Sequence, residues 1–216
     1  VTNMCNFMYS LPLINNVPHY DTSNVKNFSN FMTSMSNLTS IPNFNVSNAT
    51  NISQMLEGSY KLTNLPDWSF PNVTNAFQAF QDCSGLTSIN LTNFSNLNYA
   101  YWMFAGCRNL KSIGDLGIGG NGKAVNVAGM FYNCSNLTDI PYYDIKPTDM
   151  DRFASGCRSL TNNSVINVIK MCLNSTQYSY KNLMTSNWRS PLAGTQFSNS
   201  YYQDYVEALT AAGWTC

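Results

Sequence analysis

Cysteine is the residue type whose spacing in this chain comes nearest to a chemical pattern. Cys83, Cys107, Cys134 and Cys157 follow one another at intervals of 24, 27 and 23 residues, and Cys5, Cys172 and Cys216 lie outside the series. A structural zinc site needs thiolates converging as close Cys-x-x-Cys pairs or joined by histidines. There is no such pair and a single histidine, His19, so neither a metal nor a cofactor is expected. The regular spacing suits small, buried fillers of a repeat instead. Neighbouring thiols of a stacked array could come close enough to cross-link, and a Cys172–Cys216 bridge is also open. Disulfide geometry is narrow, and spacing decides neither case.

The remaining chemical candidates are weaker. His19 follows Pro18 with no nucleophile pattern nearby, which reads as a surface residue rather than a general base. Asp139, Asp144, Asp149 and Asp151 could hold calcium, but the last two are expected in the first turn of a repeat helix, where acids favour the dipole. The glycine-rich stretch Gly114 to Gly122 lacks the Lys-Ser/Thr of a phosphate loop and reads as a surface excursion. No enzyme is expected. Asn-x-Ser/Thr sequons such as those at Asn37, Asn45, Asn51 and Asn136 follow from the repeat and carry no functional weight.

Composition narrows the partners. The 216 residues carry 11 Lys plus Arg against 11 Asp plus Glu, a net charge of +0, while 44% are hydrophobic, enough for a core. The basic residues form no run, so no nucleic-acid partner is expected. No apolar run approaches the roughly 18 residues of a spanning helix, and no signal-peptide pattern opens the chain, so no membrane insertion is expected. The chain opens on Val1 rather than Met, and an upstream part is expected. Asn is abundant, at 31 residues, which makes a surface that hydrogen-bonds without carrying a field.

What must position these residues is a repeat. Shifting the chain by 24 aligns Ile14, Leu38, Leu62, Leu86 and Leu110, and likewise Val17, Ile41, Leu65, Ile89 and Ile113. Leu137 and Leu160 keep step with their own cysteines, giving about seven repeats over residues 1–160. Within one repeat Val25, Phe28, Phe31, Met32 and Met35 mark a helical stripe. The half from Leu38 to Phe44 reads as extended but short, because Pro18, Pro42, Pro66 and Pro141 cannot donate to a ladder. The series Asn3, Asn27, Asn51, Asn75 and Asn24, Asn48, Asn72, Asn96 are expected to stack and satisfy turn backbone groups. In the non-repeating tail, Val165, Val168, Ile169 and Cys172 share one helical face, and Tyr201, Tyr205 and Leu209 another that ends at Gly213.

The phrases "YDTSNVKNFSNFMTSMSNLTSIPNF", "AGMFYNCSNLTDIP" and "YWMFAGCRNLKSI" resemble the BspA-like leucine-rich repeats, in the 24-residue Met-Phe-x-x-Cys-x-x-Leu version. The first three repeats depart from it by lacking the Cys. Such repeats are common in surface proteins of Gram-positive bacteria and mollicutes and in tail-associated proteins of their phages. The period and the resemblance together predict an α/β fold, a leucine-rich-repeat solenoid of about seven coils, each a short strand plus a short helix. Residues 1–160 would be the solenoid and 161–216 a helical C-terminal cap.

A rigid repeat surface suits recognition. The resemblance implies an extracellular place, at a bacterial surface or a phage tail. The expected function is a non-catalytic recognition or adhesion module that binds a cell-surface glycan or protein. The other reading is a structural spacer attached to further virion or surface proteins. The candidate ligand-binding residues are His19, Tyr20, Phe44, Asp67, Trp68 and Tyr143, an aromatic column of the repeat flanked by a polar one. The same rings could instead be buried at the edge of the strand layer, and the sequence leaves both readings open.

Overall fold

Regular secondary structure is sparse. A computed structural model of the chain describes residues 1–175, with strands β1 (Ser88–Ile89), β2 (Ser112–Ile113), β3 (Lys123–Asn126) and β4 (Ile145–Asp149) and one helix, α1 (Asn162–Leu173). β1 pairs with β2 and β3 with β4, both in parallel, the second pair with a register break between Val125 and Asn126. The expected α/β leucine-rich-repeat solenoid, with a strand and a helix in each of seven coils, is therefore overturned. The described residues have four strands of two to five residues, and α1 lies beyond the repeats.

Backbone conformation explains the missing helices. Where each repeat helix was expected, two residues four apart adopt positive φ: Asn30 (53°) and Ser34 (59°), Gln54 (55°) and Gly58 (72°), Gln78 (53°) and Asp82 (56°). An α-helix needs an unbroken right-handed run, and one left-handed residue ends it. The freed amide groups turn outward to the next segment. Phe28, Asn30, Met32 and Ser34 donate their N–H to the carbonyls of Asn51, Ser53, Met55 and Glu57. The apolar stripe is thus real, but turns rather than a helix carry it inward. Asp149 and Asp151 accordingly stand at no helix N-terminus, and Asp149 Oδ1 accepts from the N–H of Asp151 at 3.0 Å.

Successive segments lie in register. Parallel bridges join Asn3, Asn27, Asn51, Asn75, Tyr99 and Asn126 in one row, which the β3–β4 pairing extends to Asp149. We call the stretch that begins at each of these residues a tier. Asparagine suits the row because its side chain caps the turn that follows. The Oδ1 atoms of Asn27, Asn51, Asn75 and Asn126 accept from the N–H two residues on, each at 3.0 Å. The second series works between tiers, with Asn48, Asn72 and Asn96 donating to the carbonyls of Ser23, Ser47 and Pro71.

Leu38, Leu62, Leu86, Leu110 and Leu137 are fully buried, as are Phe28, Phe80, Phe104 and Phe131. Cys83, Cys107, Cys134 and Cys157 are buried free thiols that donate to the carbonyls of Leu56, Phe80, Phe104 and Phe131 at 3.0–3.2 Å. The Ser59 hydroxyl makes the equivalent bond to the Met32 carbonyl. A thiol here is a compact filler that also satisfies a buried carbonyl. Burial pushes the Cys83 thiol up to about 12.

The excursion at Gly114 to Gly122 leads into β3 and is tied down by the N–H of Gly120 donating to the Asp144 carbonyl. α1 is capped by Thr161, whose hydroxyl accepts from the Ser164 N–H, and it buries Val165, Val168, Ile169, Met171 and Cys172. The expected second helical face, Tyr201, Tyr205 and Leu209, and with it Cys216, lies outside the described residues. No described helix is long and apolar enough to cross a membrane.

Candidate functional site

The columns that hold His19 and Tyr20 recur as Asn43 and Phe44 and as Asp67 and Trp68, each just after a proline. Proline fixes φ and lets the chain reverse within three residues. The N–H of Phe44 donates to the Pro42 carbonyl at 2.9 Å, and that of Trp68 to the Pro66 carbonyl at 2.8 Å. Asn43 and Asp67 therefore sit exposed at the turn apexes, while the next side chain swings inward. Phe44 and Trp68 are buried, and Tyr20 is half-buried.

Above these rings lies an open cleft of about 510 Å³. His19, Tyr20, Asp21, Asn43, Phe44, Asn45, Asp67 and Trp68 line it, with Thr22, Ser23, Ser47 and Ser69 at its margin. Tyr20 stacks on Phe44 at 6.4 Å and 12°, and the His19 ring lies 6.1 Å from Phe44. The rim is braced by side chains. Thr22 Oγ1 donates to the Asn45 carbonyl, and Ser47 donates both N–H and hydroxyl to Asn45 Oδ1. Hydrogen bonds from the Ser23 hydroxyl and N–H hold the Asp21 carboxyl below its ordinary value. The ionisable lining is thus His19, Asp21 and Asp67, among hydroxyls and amides that both donate and accept. Such a lining can hydrogen-bond a polar ligand and attract a positive one.

Five of the six sequence-selected residues, His19, Tyr20, Phe44, Asp67 and Trp68, meet at this cleft. Tyr143 does not. It is buried three tiers beyond Trp68, and its hydroxyl titrates well above the ordinary value because of burial and then the Asp115 charge. Among the described residues the Tyr143 hydroxyl and the Trp68 indole N–H have no hydrogen-bond partner. Of the strip, Phe44, Trp68 and Tyr143 are core. What reaches solvent on this side is His19, Asn43 and Asp67. The polar rim residues Asp21, Asn45 and Ser69 were not selected from sequence, although they share one column. Nor were the exposed rings Tyr99, whose signal is a break in the asparagine row, and Tyr101 two residues on.

Among the described residues no three His, Cys, Asp or Glu side chains converge in a metal-binding group, Asp139, Asp144, Asp149 and Asp151 included. No curated protein and no solved structure matches the chain. A family model does, over residues 1–115, which contain the whole cleft and the first five positions of the bridged row, up to Tyr99. The match covers more than half of the 216 residues, and the chain belongs to the family described as "Mycoplasma protein of unknown function, DUF285".

Proposed function

We propose that the protein is a non-catalytic recognition or adhesion module of the BspA-like kind, exposed at a bacterial surface or in a phage tail, that binds a cell-surface glycan or protein. The observation that carries this reading is the cleft over Phe44 and Trp68. Three tiers present His19, Asn43 and Asp67 at the same column, and hydrogen-bonded turns hold the last two. These exposed positions can change without disturbing the buried rings beneath, which is what a recognition surface requires.

The test is binding of the purified chain to whole bacterial cells, compared with a His19→Ala/Asp67→Ala variant. Both residues are exposed, so the variant should fold. Loss of binding supports the reading, and undiminished binding by the variant removes the cleft from it. A second reading, a stiff spacer joining other virion or surface proteins, draws on the backbone bonds that run from tier to tier. It becomes the better one if no cell surface binds the parent chain.

A further inference from the structure

A second aromatic group shares no residue with the cleft. In the fifth tier Tyr99 and Trp102 stand where the three tiers before it carry Asn or Gln, with Tyr101 at the column of Ser29, Ser53 and Phe77. Tyr99 stands in the asparagine row and cannot accept the N–H that Asn27, Asn51, Asn75 and Asn126 accept. Trp102 has φ 58° at the column where Asn30, Gln54 and Gln78 have φ 53–55°. A bulky side chain is least at ease in that left-handed region. The sixth tier makes room for it: a Cβ on Gly129 would lie 2.7 Å from Trp102 Nε1.

These rings are not sealed into the core. Tyr99 is 57% and Tyr101 36% exposed, and Phe77, Trp102 and Tyr132 are half-buried. Tyr101 lies parallel to Phe77 at 5.6 Å and 1°, and Trp102 packs on Tyr132 at 5.1 Å. The tier thus gives up a turn-capping bond and accepts backbone strain for aromatic surface that stays open. Folding does not explain such a patch, and a ligand does.

We propose that Tyr99, Tyr101 and Trp102, supported by Phe77 and Tyr132, form a binding site for a neutral saccharide. The C–H face of a sugar ring packs on an aromatic face, and its hydroxyls need neutral donors and acceptors at the edge. Gln78, Asn98 and Asn126 supply amides beside Trp102 and Tyr99. Residues 68–81, 83–107 and 124–138, which hold every residue of the site, contain no Asp, Glu, Lys or Arg, with Asp82 between the first two stretches, so none of the site's own side chains answers a charged ligand. Two exposed rings edged by three half-buried ones suit one or two sugar residues and fall short of the ~800 Å² per partner of a stable protein interface. The proposal rests on these residues and not on the cleft.

The experiment is calorimetric titration of the whole chain with cellobiose, maltose, lactose and N,N′-diacetylchitobiose, alongside an array of neutral and anionic glycans. Tyr99→Asn and Trp102→Gln restore the residues that other tiers carry, so both should fold with unfolding midpoints at or above the parent's. At least one neutral saccharide should bind, about tenfold or more weakly in each variant. Tyr60→Ala, an exposed tyrosine elsewhere, should leave binding unchanged. No binding of any neutral saccharide, binding of anionic glycans only, or equal binding by both variants overturns the proposal. The His19→Ala/Asp67→Ala variant reads the cleft separately. If it loses cell binding while no saccharide binds the parent, the cleft reading stands and this one falls.

Discussion

Phe44 and Trp68 on the cleft side and Tyr99 and Tyr101 on the turn side are both aromatic pairs within the repeats, yet they meet opposite environments. The first two follow a three-residue turn at proline that swings each ring under its neighbours, and they are 1% and 2% exposed. Tyr99 occupies a row built for asparagine, whose side chain caps its own turn, and Tyr101 stands two residues on, at the column of Ser29, Ser53 and Phe77. Burial in this molecule is set by the column, through the local backbone, and not by how greasy the residue is. The first tier repeats the lesson. Phe7 and Leu11 hold the columns of Phe31 and Met35 but are 48% and 40% exposed, against 0% for both of the latter. In the described residues no earlier tier covers them.

The largest effects should fall on the sealed side. Trp68→Ala is expected to cost about 3–5 kcal/mol in denaturant unfolding, and Leu86→Ala about 2–5 kcal/mol. A change below about 0.5 kcal/mol at either would remove that residue from the core. Trp68→Phe sharpens the point. The indole N–H is buried without a partner among the described residues, so its removal should cost far less than Trp68→Ala.

The thiol column gives the next effect, and it depends on pH. Cys83 is raised to about 12 by burial, so the folded state holds the neutral thiol. The unfolded chain ionises near its reference value of about 8.5. Stability from this group is therefore fully present below that pH and is lost progressively as pH climbs toward about 12. Unfolding midpoints measured from neutral to alkaline pH should fall, and Cys83→Ser, which keeps a donor for the Leu56 carbonyl, should flatten the slope. At neutral pH a thiol reagent should miss Cys83, Cys107, Cys134 and Cys157 in the native protein and find them after denaturation.

On the asparagine row the effects are smaller and of opposite sign. Asn51→Ala removes one turn bond at an intermediate position and should cost about 1 kcal/mol. Tyr99→Asn adds the bond its tier lacks and should raise stability by up to about 1 kcal/mol. A clear loss on Tyr99→Asn would show that the tyrosine belongs to the framework after all.

Sequence made the columns legible because a period of 24 can be read without knowing the backbone, and Leu38, Leu62, Leu86 and the four cysteines lie inside as their phase implied. The helices were misread because offsets of 0, 3, 6, 7 and 10 describe which residues point inward and not how the chain gets them there. A signal was present. Asn6, Asn30 and Gly129 share one column, and Gly58, Gly106, Asn133 and Gly156 another, and these are residue types that tolerate positive φ. Gln54, Trp102 and Arg152 in the same places masked it. At the candidate site the sequence left open whether the rings lay buried or accessible. The inward swing after Pro42 and Pro66 depends on a three-residue hydrogen-bonded turn that no periodicity reports.

Hydroxyl-radical footprinting of the native protein, read ring by ring by mass spectrometry, tests the division between framework and open aromatics most directly. Tyr99 and Tyr101 should be modified rapidly, while Phe44, Trp68 and Tyr143 stay protected until denaturant is added. Modification of Trp68 and Tyr143 at the rate of Tyr99 would contradict the account.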